Sequence, residues 1–291
     1  MYKLGNLTIV LPSYNCDKNC PFCIAKNNKK FKGEKEDFVS LANQLKKLKE
    51  NGIKFDRIVL SGNGEPSLYS IEELKEYAKI IKENEELFDT LRVHTSGNIF
   101  WEKEKFELFN NLVSNVEFDV LRLVVNASKD MRFLGYNRDY TQSELFKRAK
   151  KIKIDIGLTK NLESEGFSEL IEELIDNNNN IGIIRFKNLM SGENEQSKQA
   201  TWVRENQMTK KEFMCFANDL LEHCKSTTIN NLKTKNGTKI IIENSGNYLK
   251  DIVYSNGELR DYSEKKLDII EMKNMAMKVD NTKELIYDEE R

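Results

Sequence analysis

Residues 11–23, LPSYNCDKNCPFC, hold three of the chain's five cysteines within eight positions, directly after an apolar run. Cys16, Cys20 and Cys23 have the spacing C-x3-C-x2-C. Thiolates hold zinc and iron–sulfur clusters, and such short spacings let one loop fold over one metal centre. Three thiolates are one ligand short of four, which leaves one iron of a cubane cluster free to bind another molecule. We therefore predict a metal centre with an open coordination position.

Two other arrangements would account for the same cysteines. A disulfide would need an oxidising compartment, and Cys20 and Cys23 flank Pro21 in a short loop. A Cys3His zinc site would take its fourth ligand from His94, one of two histidines in the chain. The zinc site would make the protein a zinc-stabilised binding protein, which is the alternative from another class. We favour the cluster.

The composition bounds the class of protein. A length of 291 residues suits one large domain or two small ones. With 46 basic and 47 acidic residues the net charge is -1, so the overall charge gives no indication of binding to DNA, RNA or an anionic membrane. We find neither a signal-peptide pattern nor a run of about 18 apolar residues, so we expect no membrane span and a cytoplasmic protein. An odd number of cysteines also fits a reducing compartment.

Apolar runs alternate with helical patterns over about the first 190 residues. The predicted strands cover residues 7–11, 57–60, 91–93, 116–125, 152–158 and 181–186. The predicted helices between them cover residues 37–50, a segment capped by Ser70 with Glu73 completing a capping box, and residues 102–113, 142–151 and 167–175. This alternation predicts right-handed βαβ units and a parallel sheet, which six units can curve into a partial barrel.

The C-terminal part has a different pattern. Residues 209–223 predict an amphipathic helix and residues 267–277 a helical pattern. Between them lie three short predicted strands, residues 238–243, 249–254 and 258–262, joined by the hairpin signals NSGN and SNG. We therefore predict a partial barrel over residues 1–225. Residues 226–291 would form a small C-terminal β-rich extension, a β-hairpin unit and charged tail packed on the barrel.

The cysteine loop, with Phe22 just before its third cysteine, resembles the signature of the radical SAM superfamily. Residues 58–66, IVLSGNGEP, resemble that family's strand followed by G-G-E-P, with Asn63 in place of one glycine. The resemblance implies that the three cysteines hold a [4Fe–4S] cluster. It also implies that the amino and carboxylate groups of S-adenosylmethionine (SAM) chelate the fourth iron, and that residues 62–66 receive the SAM amino group. The predicted six strands match the family's partial (β/α)6 barrel.

The polar motifs follow the carboxyl ends of the predicted strands, where α/β folds bind ligands. Thr95-Ser96-Gly97-Asn98 resembles a family loop that contacts the cofactor, and residues 184–190 resemble a strand of the molybdenum-cofactor GTP cyclases. We expect cofactor contacts from Phe22, Gly62, Asn63, Gly64, Glu65, Pro66, Thr95, Ser96, Asn98, Asn126 and Arg185. Further polar residues at strand ends are Ser128, Thr159, Lys160 and Asn188.

Several candidates keep two interpretations. His94 is either structural or a contact to substrate or SAM. Arg185 lies in an apolar strand and needs an anionic partner, which a carboxylate or phosphate of cofactor or substrate would supply. Glu65 could accept hydrogen bonds from nearby backbone instead of the SAM ammonium. The polar residues 187–208 predict a substrate-covering loop with Trp202. We predict that Cys215 and Cys224 are packed residues of a helix rather than ligands of a second metal site.

The resemblance implies an oxygen-sensitive radical SAM enzyme. Such an enzyme reductively cleaves SAM at its cluster to a 5'-deoxyadenosyl radical, which abstracts hydrogen from the substrate. We predict a small, anionic, nucleotide-like substrate from the likeness to GTP cyclases and viperin-type enzymes. A peptide-modifying enzyme of the same superfamily is the alternative. The expected partner is an electron donor such as flavodoxin or ferredoxin.

Overall fold

The structure is a computed structural model that describes twelve parts of the chain: residues 1–12, 16–17, 20–23, 35–123, 140–160, 180–189, 196–223, 232–233, 237–243, 251–255, 257–261 and 265–277. The strands are β1 (Tyr2–Leu11), β2 (Ile53–Gly62), β3 (Phe88–Thr95), β4 (Val116–Leu123), β5 (Ile152–Leu158), β6 (Ile181–Asn188), β7 (Lys239–Glu243), β8 (Ile252–Ser255) and β9 (Glu258–Arg260). The helices are α1 (Phe38–Glu50), α2 (Ile71–Glu83), α3 (Lys103–Asn110), α4 (Glu144–Arg148), α5 (Lys198–Asn206), α6 (Lys210–His223) and α7 (269–277).

All nine strands form one open sheet in the order β7-β6-β5-β4-β3-β2-β1-β8-β9. Every neighbouring pair is parallel except β8 and β9, which are antiparallel. In the described part of the chain the sheet does not close on itself. Because β1 to β6 follow one another across the sheet, their carboxyl ends lie along one edge, as the strand–helix alternation predicts.

One face of the sheet is apolar and forms the core with the helices. Alternate residues of β1, Leu7, Ile9 and Leu11, are fully buried. Leu41, Leu45 and Leu48 bury the inner face of α1 against this core. Burial of such aliphatic side chains contributes about 1.5–3 kcal/mol each. The opposite face of β3 to β6 carries charged residues instead, and this face belongs to the candidate site.

Local signals set the helix starts as predicted. The Asp37 carboxylate accepts a hydrogen bond from the Ser40 amide at the start of α1. Ser70 and Glu73 form the predicted capping box of α2, with hydrogen bonds in both directions. The predicted helix over residues 167–175 lies outside the described residues.

The first of the two predicted hairpins is wrong. The signal NSGN predicts that the strands at 238–243 and 249–254 pair with each other, but β7 pairs with β6 and β8 pairs with β1. The physical reason is that both edges of the sheet present unpaired backbone groups, and each edge takes one C-terminal strand. The second predicted hairpin is confirmed by β8 and β9. The domain boundary between residues 225 and 226 stays a prediction.

Candidate active site

The three cysteines of the predicted metal centre lie in the loop after β1. Cys16, Cys20 and Cys23 are partly exposed and form no disulfide, and the Cys23 amide donates to the Cys20 carbonyl at 3.3 Å. Three disulfide-free thiols in one short loop are a donor set that fits an iron–sulfur cluster. Within the described ranges, no three His, Cys, Asp or Glu side chains are close enough together to hold a metal ion. The structure therefore brings the thiols to one loop without converging them on a centre.

The loop after β2 is tied to the start of the cysteine loop by Asn63. The Asn63 side-chain amide donates to the Pro12 carbonyl at 3.0 Å, and its backbone amide donates to the Leu11 carbonyl at 3.3 Å. A glycine at this position would lose the side-chain hydrogen bond. Asn63, which replaces a glycine of G-G-E-P, therefore ties the two loops together. A Cβ on Gly62 would lie 3.3 Å from backbone atoms of Gly64. The turn is therefore tight at Gly62.

Glu65 connects the loop after β2 to the loop after β3. Its side chain is buried, with 2% of the residue exposed. One carboxylate oxygen accepts from the Ser67 amide at 3.2 Å and from the Thr95 hydroxyl at 2.8 Å. The other oxygen accepts from the Ser96 amide. Two backbone amides and one hydroxyl therefore donate to Glu65, and its predicted contact to the SAM ammonium stays a prediction.

The loop after β3 has a fixed conformation. Gly97 has a φ of 99°, and a Cβ there would lie 2.3 Å from the Tyr140 ring. Both features require glycine. Its amide donates to the Thr95 hydroxyl oxygen at 3.0 Å. Next along the chain, the side-chain amide of Asn98 donates to both carboxylate oxygens of Asp17, each at 3.1 Å.

The three loops thus form a closed set of contacts, which we call the loop frame. Asn63 joins the β2 loop to Pro12, Glu65 joins it to the β3 loop, and Asn98 joins the β3 loop to Asp17. Within the described residues, the Oγ atoms of Ser67 and Ser96 are buried and lack a hydrogen-bond partner. Buried hydroxyls of this kind are expected to have partners. A polar cofactor such as SAM fits a site that holds an unpaired Ser96 hydroxyl.

His94 lies at the polar face of the sheet beside this frame. Its Nδ1 is 3.2 Å from the Ser61 hydroxyl, and its Nε2 is 3.4 Å from a carboxylate oxygen of Asp119. The side chain remains 43% exposed. Both ring nitrogens therefore face partners other than the cysteines. The Cys3His zinc site would need one of them to leave its partner.

A row of charged side chains continues from His94 across the sheet. We call this row the charge ladder; it consists of Arg92, Glu117, Asp119, Lys153 and Asp155. Lys153 contacts Asp119 at 2.7 Å and Asp155 at 2.6 Å. On the other side, Arg92 donates to Glu117 at 2.7 Å. Burial alone raises the pKa of Asp119, but Lys153, His94 and Arg92 together lower that pKa well below its usual range. Burial lowers the pKa of Lys153.

Arg185 finds its anionic partner inside the protein. Its Nε donates to Asp155 at 2.8 Å, and a second, short contact joins the same two side chains. Lys187 also contacts Asp155, at 3.0 Å. Burial and Asp119 raise the pKa of Asp155, but Arg185, Lys153 and Lys187 outweigh them and lower it. The expected cofactor or substrate anion is thus not needed to pair Arg185.

The described residues of the predicted covering loop, 187–189 and 196–208, include the end of a strand and a helix. Lys187 and Asn188 end β6, and residues 198–206 form α5. The end of α5 is held by reciprocal hydrogen bonds between Asn188 and Met208 and by the Lys160 amide, which donates to the Asn206 carbonyl at 2.8 Å. Ser197 caps the helix, which is why the polar pattern there forms a helix rather than a loop.

An aromatic contact links α5 to the cysteine loop. The ring centroids of Trp202 and Phe22 are 6.4 Å apart and tilted by 40°. This distance is within the range of favourable aromatic pairs. Helix α5 therefore contacts the loop after β1 through Trp202, and the residues that follow it are hydrogen-bonded to the end of β6.

The remaining predicted residues are less informative. Thr159 is buried and Lys160 is exposed at the end of β5. Asn126, Ser128 and Cys224 lie outside the described residues. Cys215 is exposed on α6, which contradicts its predicted packing. Sequence reasoning also missed Asp119, Lys153 and Asp155, although charged residues inside apolar strand runs were a signal for them.

An open, mostly parallel sheet with a three-cysteine loop at its carboxyl edge defines an α/β protein. The family model of the radical SAM superfamily matches residues 10–159, just over half of the chain. The chain therefore belongs to the radical SAM superfamily, whose enzymes use a [4Fe–4S] cluster and SAM. No curated protein matches the chain in sequence.

Solved structures share the fold. Streptococcus suis SuiB bound to S-adenosylmethionine is 14% identical with a TM-score of 0.56; the alignment covers 90% of this chain and 62% of SuiB. A second SuiB structure is 15% identical with a TM-score of 0.55, and its alignment covers 87% of this chain and 59% of SuiB. The structure of anSMEcpe with bound AdoMet and the Cp18Cys peptide is 16% identical with a TM-score of 0.59, covering 94% of this chain and 79% of anSMEcpe. The chain thus spans about three fifths of SuiB. The shared fold is an α/β partial barrel.

Proposed function

We propose that the chain is a radical SAM enzyme that reductively cleaves SAM and abstracts hydrogen from its substrate. The observation that carries this proposal is the loop frame, which ties the three-cysteine loop to the two loops that would bind SAM. When bound, the [4Fe–4S] cluster and SAM supply the electron transfer and the 5'-deoxyadenosyl radical.

The chain's own residues would bind and orient these groups. Cys16, Cys20 and Cys23 would hold the cluster. The tight turn at Gly62 would let the backbone approach the SAM amino group closely. The unpaired Ser96 hydroxyl would donate to or accept from a polar atom of SAM. Helix α5, through Trp202, would reduce the access of water to Phe22 and the cofactor.

The test is anaerobic reconstitution followed by iron, sulfide and zinc analysis, then incubation with dithionite and SAM. We expect about four irons per chain and formation of 5'-deoxyadenosine, and we expect both to be lost in C16A, C20A and C23A. C215A is the matched control, because Cys215 is an exposed cysteine on α6. One zinc per chain with no cleavage of SAM would overturn the proposal and favour the zinc-stabilised binding protein.

We further propose a small, anionic, nucleotide-like substrate. Support comes from β6, where Arg185 and Lys187 keep 18% and 27% exposure near the carboxyl edge of the sheet. Three cations, Lys153, Arg185 and Lys187, contact the single carboxylate of Asp155. An anionic group of a substrate would meet Arg185 and Lys187 at the same edge as the loop frame.

A peptide substrate is the second candidate. It is favoured by the fold similarity to anSMEcpe, whose structure holds the Cp18Cys peptide. Incubation with a panel of nucleoside triphosphates and, separately, with a cysteine-containing peptide pool distinguishes the two candidates. A substrate raises 5'-deoxyadenosine formation above the background reaction. A rise with peptides alone would overturn the nucleotide proposal.

The physiological electron donor would be a flavodoxin or ferredoxin, for which dithionite substitutes in the assay. The odd number of cysteines and the oxygen sensitivity of such clusters support a cytoplasmic location. None of the helices in the described ranges is both long enough and apolar enough to cross a membrane.

A further inference from the structure

Glu65 is a buried carboxylate in the loop frame, and three donors are hydrogen-bonded to it. A carboxylate offers about four acceptor positions, and three of them are used by Ser67, Thr95 and Ser96. Two of these donors lie outside the loop of Glu65 itself: the Thr95 hydroxyl at the end of β3 and the Ser96 amide in the loop that follows. A buried carboxylate is stable only when its oxygens are hydrogen-bonded or paired. Glu65 therefore depends on the β3 loop as much as that loop depends on Glu65.

Two backbone amides of the β3 loop depend on the Glu65 carboxylate, Ser96 directly and Gly97 through the Thr95 hydroxyl. The Gly97 amide donates to Thr95 Oγ1, which in turn donates to Glu65, so the hydrogen bonds run in one direction into the carboxylate. The left-handed backbone at Gly97 fixes where the Ser96 amide points. Loss of the Glu65 acceptor would leave the part-buried Ser96 amide without this partner.

We propose that Glu65 is a positioning residue that sets the conformation of the β3 loop before SAM binds, instead of binding the SAM ammonium. The proposal rests on the proposed function, since it concerns loops that would bind SAM. Its carboxylate holds the Thr95 hydroxyl and the Ser96 amide, and the partnerless Ser96 hydroxyl beside them stays available to the cofactor. With 2% exposure, Glu65 offers a ligand almost no surface.

The first test measures amide hydrogen exchange of residues 96–98 by mass spectrometry, in cluster-loaded protein without SAM. E65Q keeps one acceptor oxygen, which retains more hydrogen bonds when it stays on the Ser67 amide and the Thr95 hydroxyl. Its side-chain NH2 then faces the Ser96 amide, so two donors face each other. We expect the Ser96 amide to exchange at least about tenfold faster, since a hydrogen bond to a charged group contributes about 1.5–3 kcal/mol. A residue that only binds SAM would leave exchange unchanged in the absence of SAM, and that result would overturn the proposal.

The second test compares two ligands. SAM carries the ammonium group, whereas 5'-methylthioadenosine lacks the amino-acid part. Because the whole β3 loop shifts, we expect E65Q to weaken both ligands by a similar factor. Weakening of SAM alone would show a direct contact to the ammonium and would overturn the proposal.

Thr95 provides variants that keep the proposal testable if E65Q does not fold. T95V removes the hydroxyl that donates to Glu65 and should reproduce the faster exchange, whereas T95S keeps the hydroxyl and should resemble the wild type. E73Q makes the same substitution in the exposed capping box of α2 and should leave residues 96–98 unaffected. Exchange can be measured whether or not SAM is cleaved, so failure of the proposed function and failure of this inference are distinguishable.

Discussion

At the scale of single residues, the ion pairs of the charge ladder stabilise the charged side chains that are buried on the polar face of the sheet. Asp119 is 3% exposed and contacts Lys153, His94 and Arg92. Such a carboxylate is costly to bury alone, and its cationic partners offset this cost by holding it ionised. Its lowered pKa is therefore a statement about stability as well as about charge.

We predict that D119N destabilises the protein at neutral pH by about 3 kcal/mol, because Lys153 and Arg92 lose a buried anionic partner. The pKa of Asp119 is lower in the folded than in the unfolded state, where it is about 3.9. Its contribution is therefore present above about pH 4 and is lost as the pH falls below that value. Urea unfolding at several pH values measures this, and the gap between wild type and D119N should shrink in acid.

The control for this prediction is D56N. Asp56 pairs with Lys3 at 2.8 Å, but both side chains are about half exposed. An exposed pair contributes only about 0–1 kcal/mol. A gap for D119N that is as small as that for D56N, or that grows in acid, would show that the ladder does not hold Asp119 ionised.

At the scale of elements, the sequence predicts what depends on local pattern. The order of β1 to β6 follows from apolar runs alternating with helical periods, and the capping box of α2 follows from Ser70 and Glu73. The positions of β7 and β8 could not be predicted, because edge pairing depends on distant strands. The contact of Trp202 with Phe22 was equally out of reach, since it joins elements far apart in the chain.

The same contact gives a prediction for helix α5. We expect W202A to make the cluster bleach faster in air, by roughly fivefold if the aromatic pair contributes about 1 kcal/mol to covering the cysteine loop. Loss of the cluster's visible absorbance measures the rate. W202F keeps an aromatic ring and should bleach at a rate close to that of the wild type.

Glu205 supplies the matched control for α5, because it is an exposed residue of the same helix. E205A should bleach like the wild type. Equal bleaching of W202A and E205A would mean that α5 does not cover the cysteine loop.

At the scale of the whole molecule, the C-terminal strands are part of the main sheet. Residues 7–9 of β1 pair with residues 252–254 of β8, and β7 extends the opposite edge beside β6. Ile252 and Tyr254 are fully buried in the same core as Leu7 and Ile9. Chain segments that share one core usually unfold together. The first and last parts of the fold are therefore expected to be one cooperative unit, and the predicted division at residue 225 can be tested on that ground.

We predict that I252A lowers the free energy of unfolding by about 2–4 kcal/mol, the cost of removing a fully buried aliphatic side chain. V253A is the control, because Val253 is only partly buried on the alternate face of β8 and should cost less. Unfolding in urea, followed both by circular dichroism and by tryptophan fluorescence from Trp101 and Trp202, should show one coincident transition that shifts as a whole in I252A. Trp101 follows β3 and Trp202 lies on α5, so both probes report on the barrel rather than on β8. A fluorescence transition unchanged by I252A would show that residues 226–291 unfold as a separate unit, since a change in β8 would then not reach the barrel.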